Sequence, residues 1–231
     1  EARRTLMELD PPDHTRLRRL VNRGFTRMTV ESYEESIREL TAGILDEALV
    51  HGEFDFVAEV ARLLPMRMLG RLLGVPDDHA EQLVEWGDQL LSNSDPEYTD
   101  HVVDQVDTDE FRLIPFRSPA GLEVFRYAQE AASERRGCPH DDVISRLLEP
   151  TTDGEPLTDL EFNNFFAVLV AAGNDTTGYS LTEGLRALVD HPNQFRALRD
   201  DPSLIDSGVE ELLRWTTVTT HFRRTATRDQ E

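Results

Sequence analysis

A helix that is apolar round most of its circumference belongs in a protein interior. The first half of a helix expected from about Asp159 to Asp190 has that character. The helix opens on Thr158-Asp159-Leu160-Glu161, a capping box in which Thr158 and Glu161 satisfy free backbone amides at a helix start, and it is stopped by His191-Pro192. Its first half carries Phe162, Phe165, Phe166, Val168, Leu169 and Val170. In its middle stands Ala171-Ala172-Gly173-Asn174-Asp175-Thr176-Thr177-Gly178, two glycines and four polar residues where propensity and burial both argue against them. Local rules fail most often at functional sites. A glycine lets a flat ligand approach the backbone, and a Thr hydroxyl beside it can bond a carbonyl one turn back or a bound molecule. A crossing point padded with small residues, with a solvated Asp-Thr pair, explains the same pattern equally well.

Apolar residues three and four apart predict further helices at about Pro12 to Gly24, Thr29 to His51, Phe56 to Leu73, Asp77 to Ser92, Ala120 to Arg136, Asp141 to Leu148 and Ile205 to Trp215. Gly52, Gly74 and Pro76 punctuate them. Asp95 to Ser118 reads as a long loop with a short helical piece, and Thr216 to Glu231 as an extended tail, possibly one strand. The expected fold is therefore mainly α: a helical domain around one long buried central helix, with minor β.

The 45 acidic residues outnumber 24 basic ones, all of them arginine, and the net charge of −21 argues against a nucleic-acid or anionic-membrane binder. No apolar leader and no apolar run of 18 residues occurs, so neither a signal peptide nor a membrane span is expected, and the cytoplasm is the expected compartment. The single cysteine, Cys138, excludes an internal disulfide framework and a Cys-rich zinc site.

Two further clusters carry chemistry. Asp10-Pro11-Pro12-Asp13-His14-Thr15-Arg16-Leu17-Arg18 places prolines at a helix start and sets His14 and Arg18 four apart on one face, which suits an anion. The alternative is an exposed basic face continuing through Arg19 and Arg23. Glu211 and Arg214 lie three apart, close enough for a carboxylate-guanidinium contact or for Arg214 to reach another segment.

In this order, and together with His221-Phe222-Arg223-Arg224-Thr225-Ala226, these features resemble the bacterial cytochrome P-450 family over essentially the whole chain. The resemblance implies a partial cytochrome P-450 fold, with residues 1–231 a fragment of one domain whose N-terminal part and haem-ligand region are absent. It implies that His14, Arg18 and Arg224 bind haem propionates, that Ala172 and Gly173 lie against the porphyrin, and that Asp175 and Thr176 are the catalytic pair that delivers protons. Glu211 and Arg214 become a buried structural pair. The implied cofactor is haem b. The implied partners are a small lipophilic substrate, O2, and a ferredoxin or similar electron donor with its reductase, for a monooxygenase reaction. The family's cysteine loop is not found, and Cys138, in Arg135-Arg136-Gly137-Cys138-Pro139-His140, lacks that loop's glycines and aromatic residue, so no metal ligand is assigned to it. An inactive helical interaction protein and a peroxide-driven haem-thiolate enzyme are the alternatives.

Overall fold

A computed structural model describes residues 5–22, 25–92, 95–97, 99–102, 109–111, 113–149 and 157–219. The chain forms two compact units, residues 1–175 and 176–231.

The first unit is built from α1 (Asp13–Asn22), α2 (Arg27–Ser32), α3 (Glu34–Leu49), α4 (Leu63–Leu73), α5 (Asp77–Leu91), α6 (Ala120–Gly137), α7 (Val143–Leu148) and α8 (Asp159–Gly173). Local chemistry sets most of these limits. Gly74 ends α4 in the left-handed region at φ +64, which a glycine adopts without strain. Asp77 and Asp78 begin α5, where carboxylates favour the positive end of the helix dipole. The capping box of α8 is present: the Glu161 N–H donates to Thr158 Oγ1 at 3.3 Å, and the Thr158 N–H donates to Glu161 Oε2 at 2.9 Å.

Three predicted helices are interrupted. Thr26 caps a separate α2 by accepting from the Thr29 N–H at 3.2 Å, so the long predicted second helix is two. The predicted Phe56 to Leu73 helix begins as a π turn, Val57–Ala61, closed by the Arg62 N–H donating to the Val57 carbonyl at 3.0 Å. The central helix breaks at Asn174 into α8 and a following helix, α9 (Asp175–Asp190). A sequence period near 3.6 looks the same on either side of such breaks, so periodicity alone joins the pieces.

The core of this unit surrounds α8, against which α5 and α6 pack most extensively. Phe162 and Phe166 are fully buried, together with Leu83 and Leu90 of α5, Val124, Ala128 and Ala132 of α6, and Leu73 of α4. Each buried Phe or Leu contributes about 1.5–3 kcal/mol relative to leaving it in water. A smaller cluster, Leu40, Ile44, Ala48 and Val60, lies along α3. One buried ion pair ties three elements: Arg135 Nε on α6 donates to Asp142 Oδ2 at 2.6 Å, and Arg135 Nη2 donates to the Gly74 carbonyl at 2.7 Å. Asp142 also caps α7, accepting from the Ser145 N–H at 2.7 Å.

The second unit holds α9 from Thr176 onward, α10 (Pro192–Asp200) and α11 (Ile205–Thr216). The sequence reading did not include α10. Pro192, expected to stop the central helix, occupies the first turn of a new one, where its missing N–H costs nothing. A groove of about 400 Å³ runs among these three helices, lined by Leu188, Leu198, Leu204, Leu212, Trp215 and others. Thr216, the first residue of the expected extended tail, closes α11, and the rest of that expectation falls largely on residues 220–231, which lie outside the described residues. Among the described residues there is no strand, and no helix is long and apolar enough to cross a membrane.

Candidate functional site

The polar break at the end of α8 is shaped by the approach of α4 and α5. A Cβ placed on Gly87 of α5 would sit 3.2 Å from the Val170 carbonyl oxygen, so the two helix backbones cross where α5 has no side chain. A Cβ on Gly173 would meet Leu69 Cδ1 of α4 at 3.1 Å. The crossing at Gly87 sets the next residue, Asp88, beside the break. Asp88 Oδ2 accepts from Arg62 Nη2 at 2.5 Å, and its carboxyl faces that of Asp175. Asn174 Nδ2 donates to Asp175 Oδ1 at 3.4 Å, while the buried Asn174 Oδ1 has no hydrogen-bond partner among the described residues. Leaving such an acceptor open costs about 1–3 kcal/mol, so the break is polar against the interest of stability.

These neighbours decide the ionisation of Asp175. Burial raises its pKa, and Asp88 raises it further through its charge and the hydrogen bond between the two carboxyls. Arg62 and Asn174 act in the opposite direction and only partly offset this, leaving the carboxyl pushed up to about 6. An ordinary Asp is a fixed anion at neutral pH; this one can hold a proton or release it. Thr176 follows directly in the chain and is exposed, and Ala172 is exposed although the rest of α8 from Phe162 onward is buried or half-buried.

On α1, His14 is half-buried and Arg18 exposed, one turn apart, with the buried Leu17 anchoring the helix in the core. Neither side chain is held in an ion pair among the described residues. Arg16, between them, pairs instead with Glu161 of the α8 capping box. In the second unit, Arg214 donates from Nε and Nη2 to Glu211, both at 2.7 Å.

No family model matches the chain. Among curated proteins it is 36% identical over 226 residues to a steroid C26-monooxygenase of Rhodococcus jostii, covering 98% of this chain and 44% of the relative. A methyl-branched lipid omega-hydroxylase of Mycobacterium bovis is 32% identical, covering 98% of this chain and 51% of the relative. Among solved structures, a cytochrome P-450 of Mycobacterium marinum in complex with pseudoionone superposes with a TM-score of 0.78 at 35% identity, over 93% of this chain and 50% of that one. The chain belongs to the bacterial cytochrome P-450 family. It spans about half the length of the curated relatives it matches.

Cytochromes P-450 carry haem, and the described residues fit a flat, dianionic macrocycle. His14 and Arg18 offer two donors on one helix face with no ion pair to a carboxylate among the described residues, and Ala172 offers an exposed small side chain next to the polar break. A Cβ on Gly173 would also crowd Leu69 where α4 packs against α8, so the glycine serves that packing as well. The Glu211 and Arg214 pair is formed, and among the described residues both side chains are exposed, not buried. Arg224 lies outside the described residues. Cys138 is exposed, just past the end of α6.

The sequence reading missed Asp88 and Arg62. A trace of Asp88 was available: it stands four residues after Val84, on the edge of the apolar stripe formed by Ala80, Leu83, Val84, Gly87 and Leu90. A carboxylate there must find a partner. Arg62 gave no comparable sign, because its direction is set by the π turn before it.

Proposed function

We propose that the whole protein is a haem b monooxygenase that inserts one oxygen atom from O2 into a small lipophilic organic molecule. These 231 residues contribute to a single cytochrome P-450 domain. The observation that carries this reading is the titratable Asp175 at a break in a buried helix, followed by a Thr hydroxyl. His14 and Arg18, with Arg224, hold the propionates, and Ala172 with Gly173 gives the macrocycle a flat apolar face. Bound haem supplies the iron chemistry, in which thiolate donation favours O–O cleavage. Asp175 releases the proton held on its carboxyl, and the Thr176 hydroxyl passes it on through water, a general-acid role matched to a carboxyl that titrates near neutral pH. Electrons come from a ferredoxin or similar donor with its reductase. A lipophilic substrate is supported by the steroid and methyl-branched lipid activities that the relatives are named for. Cys138 is exposed in a loop and is not the iron ligand.

The test is Thr176→Ala in the whole protein, reading product formed per electron pair consumed. A fall of about tenfold or more is expected from the loss of a positioned proton carrier; unchanged coupling removes the relay. The reduced carbon monoxide complex should show the thiolate-shifted Soret band, unaltered by Cys138→Ser. A band abolished by that substitution would make Cys138 the ligand.

A further inference from the structure

A run of aromatic rings leads from the core of the first unit to its surface. Phe162 and Phe166 of α8 are fully buried, with ring centres 6.1 Å apart. Phe166 meets Tyr127 of α6 at 6.0 Å, and Tyr127 meets Trp86 of α5 edge to face at 6.2 Å. Tyr127 also touches His79 in the first turn of α5. Their ring centres are 5.6 Å apart and nearly perpendicular, and the phenol oxygen lies 2.9 Å from His79 Nδ1. His79 is exposed, whereas Tyr127 and Trp86 are half-buried.

Apolar packing accounts for the two phenylalanines, but not for a phenol, an indole and an imidazole brought together beside them. Trp86 and Tyr127 are the members of this group that can give up a single electron. A phenol that loses an electron becomes a strong acid, so the electron leaves readily only where a base stands ready for the proton. Burial pushes the Tyr127 hydroxyl up to about 12, an effect that Arg135 opposes and the carboxylates of Glu134, Asp78 and Glu130 reinforce. At neutral pH the phenol therefore keeps its proton until it is oxidised. At 2.9 Å, Nδ1 of a neutral His79 is placed to accept that proton, and the exposed ring can hand it to water. The edge contact of Trp86 with Tyr127 lets an electron pass between them with no carrier in between.

We propose that Trp86, Tyr127 and His79 form a redox relay that carries single oxidising equivalents out of the domain to its surface. Trp86 loses one electron to a one-electron oxidant and becomes an indole radical cation. Tyr127 returns that electron to Trp86 while its hydroxyl proton passes to His79 Nδ1, leaving a neutral indole, a neutral tyrosyl radical and an imidazolium. The imidazolium releases its proton to water, and a thiol in solution gives a hydrogen atom to the tyrosyl oxygen, becoming a thiyl radical and restoring the phenol. The inference rests on the monooxygenase reading for its purpose, since a haem site that activates O2 supplies such oxidants when no product is formed. The relay itself does not depend on that reading.

The experiment is flash oxidation of the whole protein with a photoexcited ruthenium polypyridyl complex and a sacrificial electron acceptor. The tyrosyl radical is followed by transient absorption, and by electron paramagnetic resonance of samples frozen after the flash. Tyr127→Phe should remove most of the signal, and Trp86→Phe should slow its rise. His79→Ala should slow the rise by about tenfold or more, the scale on which a positioned base acts, and imidazole in the buffer should restore part of the rate. The resonance should report a hydrogen bond to the radical oxygen in the wild type and none in His79→Ala. A contact that only pins α5 to α6 would change stability and leave the rate where it was. The proposal is overturned if Tyr127→Phe keeps the wild-type signal, or if His79→Ala keeps the wild-type rate. If the Tyr127 radical forms as stated while the protein forms no thiolate-shifted carbon monoxide complex, the relay stands and the monooxygenase reading falls. If that complex forms and Tyr127→Phe keeps the whole signal, the reverse holds. Should Tyr127→Phe fail to fold, His79→Ala decides alone, since its side chain lies at the surface.

Discussion

Asp142→Ala should be among the most damaging single substitutions in the chain. The Asp142 and Arg135 side chains are 3% and 4% exposed and meet at 2.6 Å. Removing one member of a buried pair costs about 3–5 kcal/mol when the remaining charge is left without a partner; here Arg135 Nη1 still meets the exposed Glu134 carboxylate at 3.2 Å, which offsets part of that cost. Asp142 also caps α7 through the Ser145 N–H, a contact worth roughly 0.5–2 kcal/mol. The terms share one carboxylate and do not simply add, so the expected loss is about 4 kcal/mol, a large part of the roughly 5–15 kcal/mol that stabilises a typical domain. Arg135→Met in the Asp142→Ala background removes the stranded charge and should recover about 2 kcal/mol or more. The exposed pair of Arg146 with Asp141 is the control, and Arg146→Gln should cost under about 1 kcal/mol. Guanidinium unfolding followed by far-ultraviolet circular dichroism gives all four values. Burial raises the Asp142 pKa, but the Ser145 N–H, the Arg135 guanidinium and the Ser145 hydroxyl outweigh it and hold the carboxyl below its ordinary range. Its contribution is therefore complete above the unfolded pKa near 3.8 and is lost as pH falls below that value through the lower folded one. A cost below about 1 kcal/mol for Asp142→Ala, or a double variant no more stable than the single one, would refute the buried pair as a source of stability.

Three shorter expectations accompany it. Phe166→Ala empties a fully buried site flanked by Tyr127 and Phe162 at ring distances of 6.0 and 6.1 Å, and should cost about 3–5 kcal/mol by thermal or chemical unfolding. Asp175 has the opposite pH signature to Asp142: its folded pKa lies above the unfolded 3.8, so its contribution is full below that value and fades as pH rises towards about 6. A shift of two units corresponds to roughly 3 kcal/mol, which solvent access to this half-buried carboxyl reduces to about 1–2 kcal/mol; Asp175→Asn should flatten that part of the stability profile, and an unchanged slope would contradict the raised pKa. Cys138→Ser, at an exposed position, should leave the unfolding midpoint unchanged, and a large loss of stability would show a buried role for the thiol.

Much of the fold was legible because its signals are local. The start of α8 follows from Thr158 and Glu161, which find each other within one turn, and the core face of α5 follows from apolar residues recurring every three or four positions. The irregularities were less legible. Thr26 caps α2 only because the chain turns there, the π turn at Val57–Ala61 changes the helix period by one residue, and Pro192 can end a helix or begin one. Local sequence allows both outcomes, and packing selects one.

The same division runs through the site. That a polar Gly-Asn-Asp-Thr interruption lies within a buried helix, and that His14 and Arg18 share a helix face, can be read from the chain alone, because both facts concern residues within a turn or two of each other. It could not show what Asp175 would meet. That was decided by the crossing of α5 on α8 at Gly87, which brings Asp88 to the break, and by the π turn that delivers Arg62 to Asp88. A carboxyl's pKa is set by burial and by charges a few ångströms away, whatever their separation along the chain. Only the tertiary structure brings residues 62, 88 and 175 within that range, and so turns an ordinary aspartate into one that can hold a proton near neutral pH.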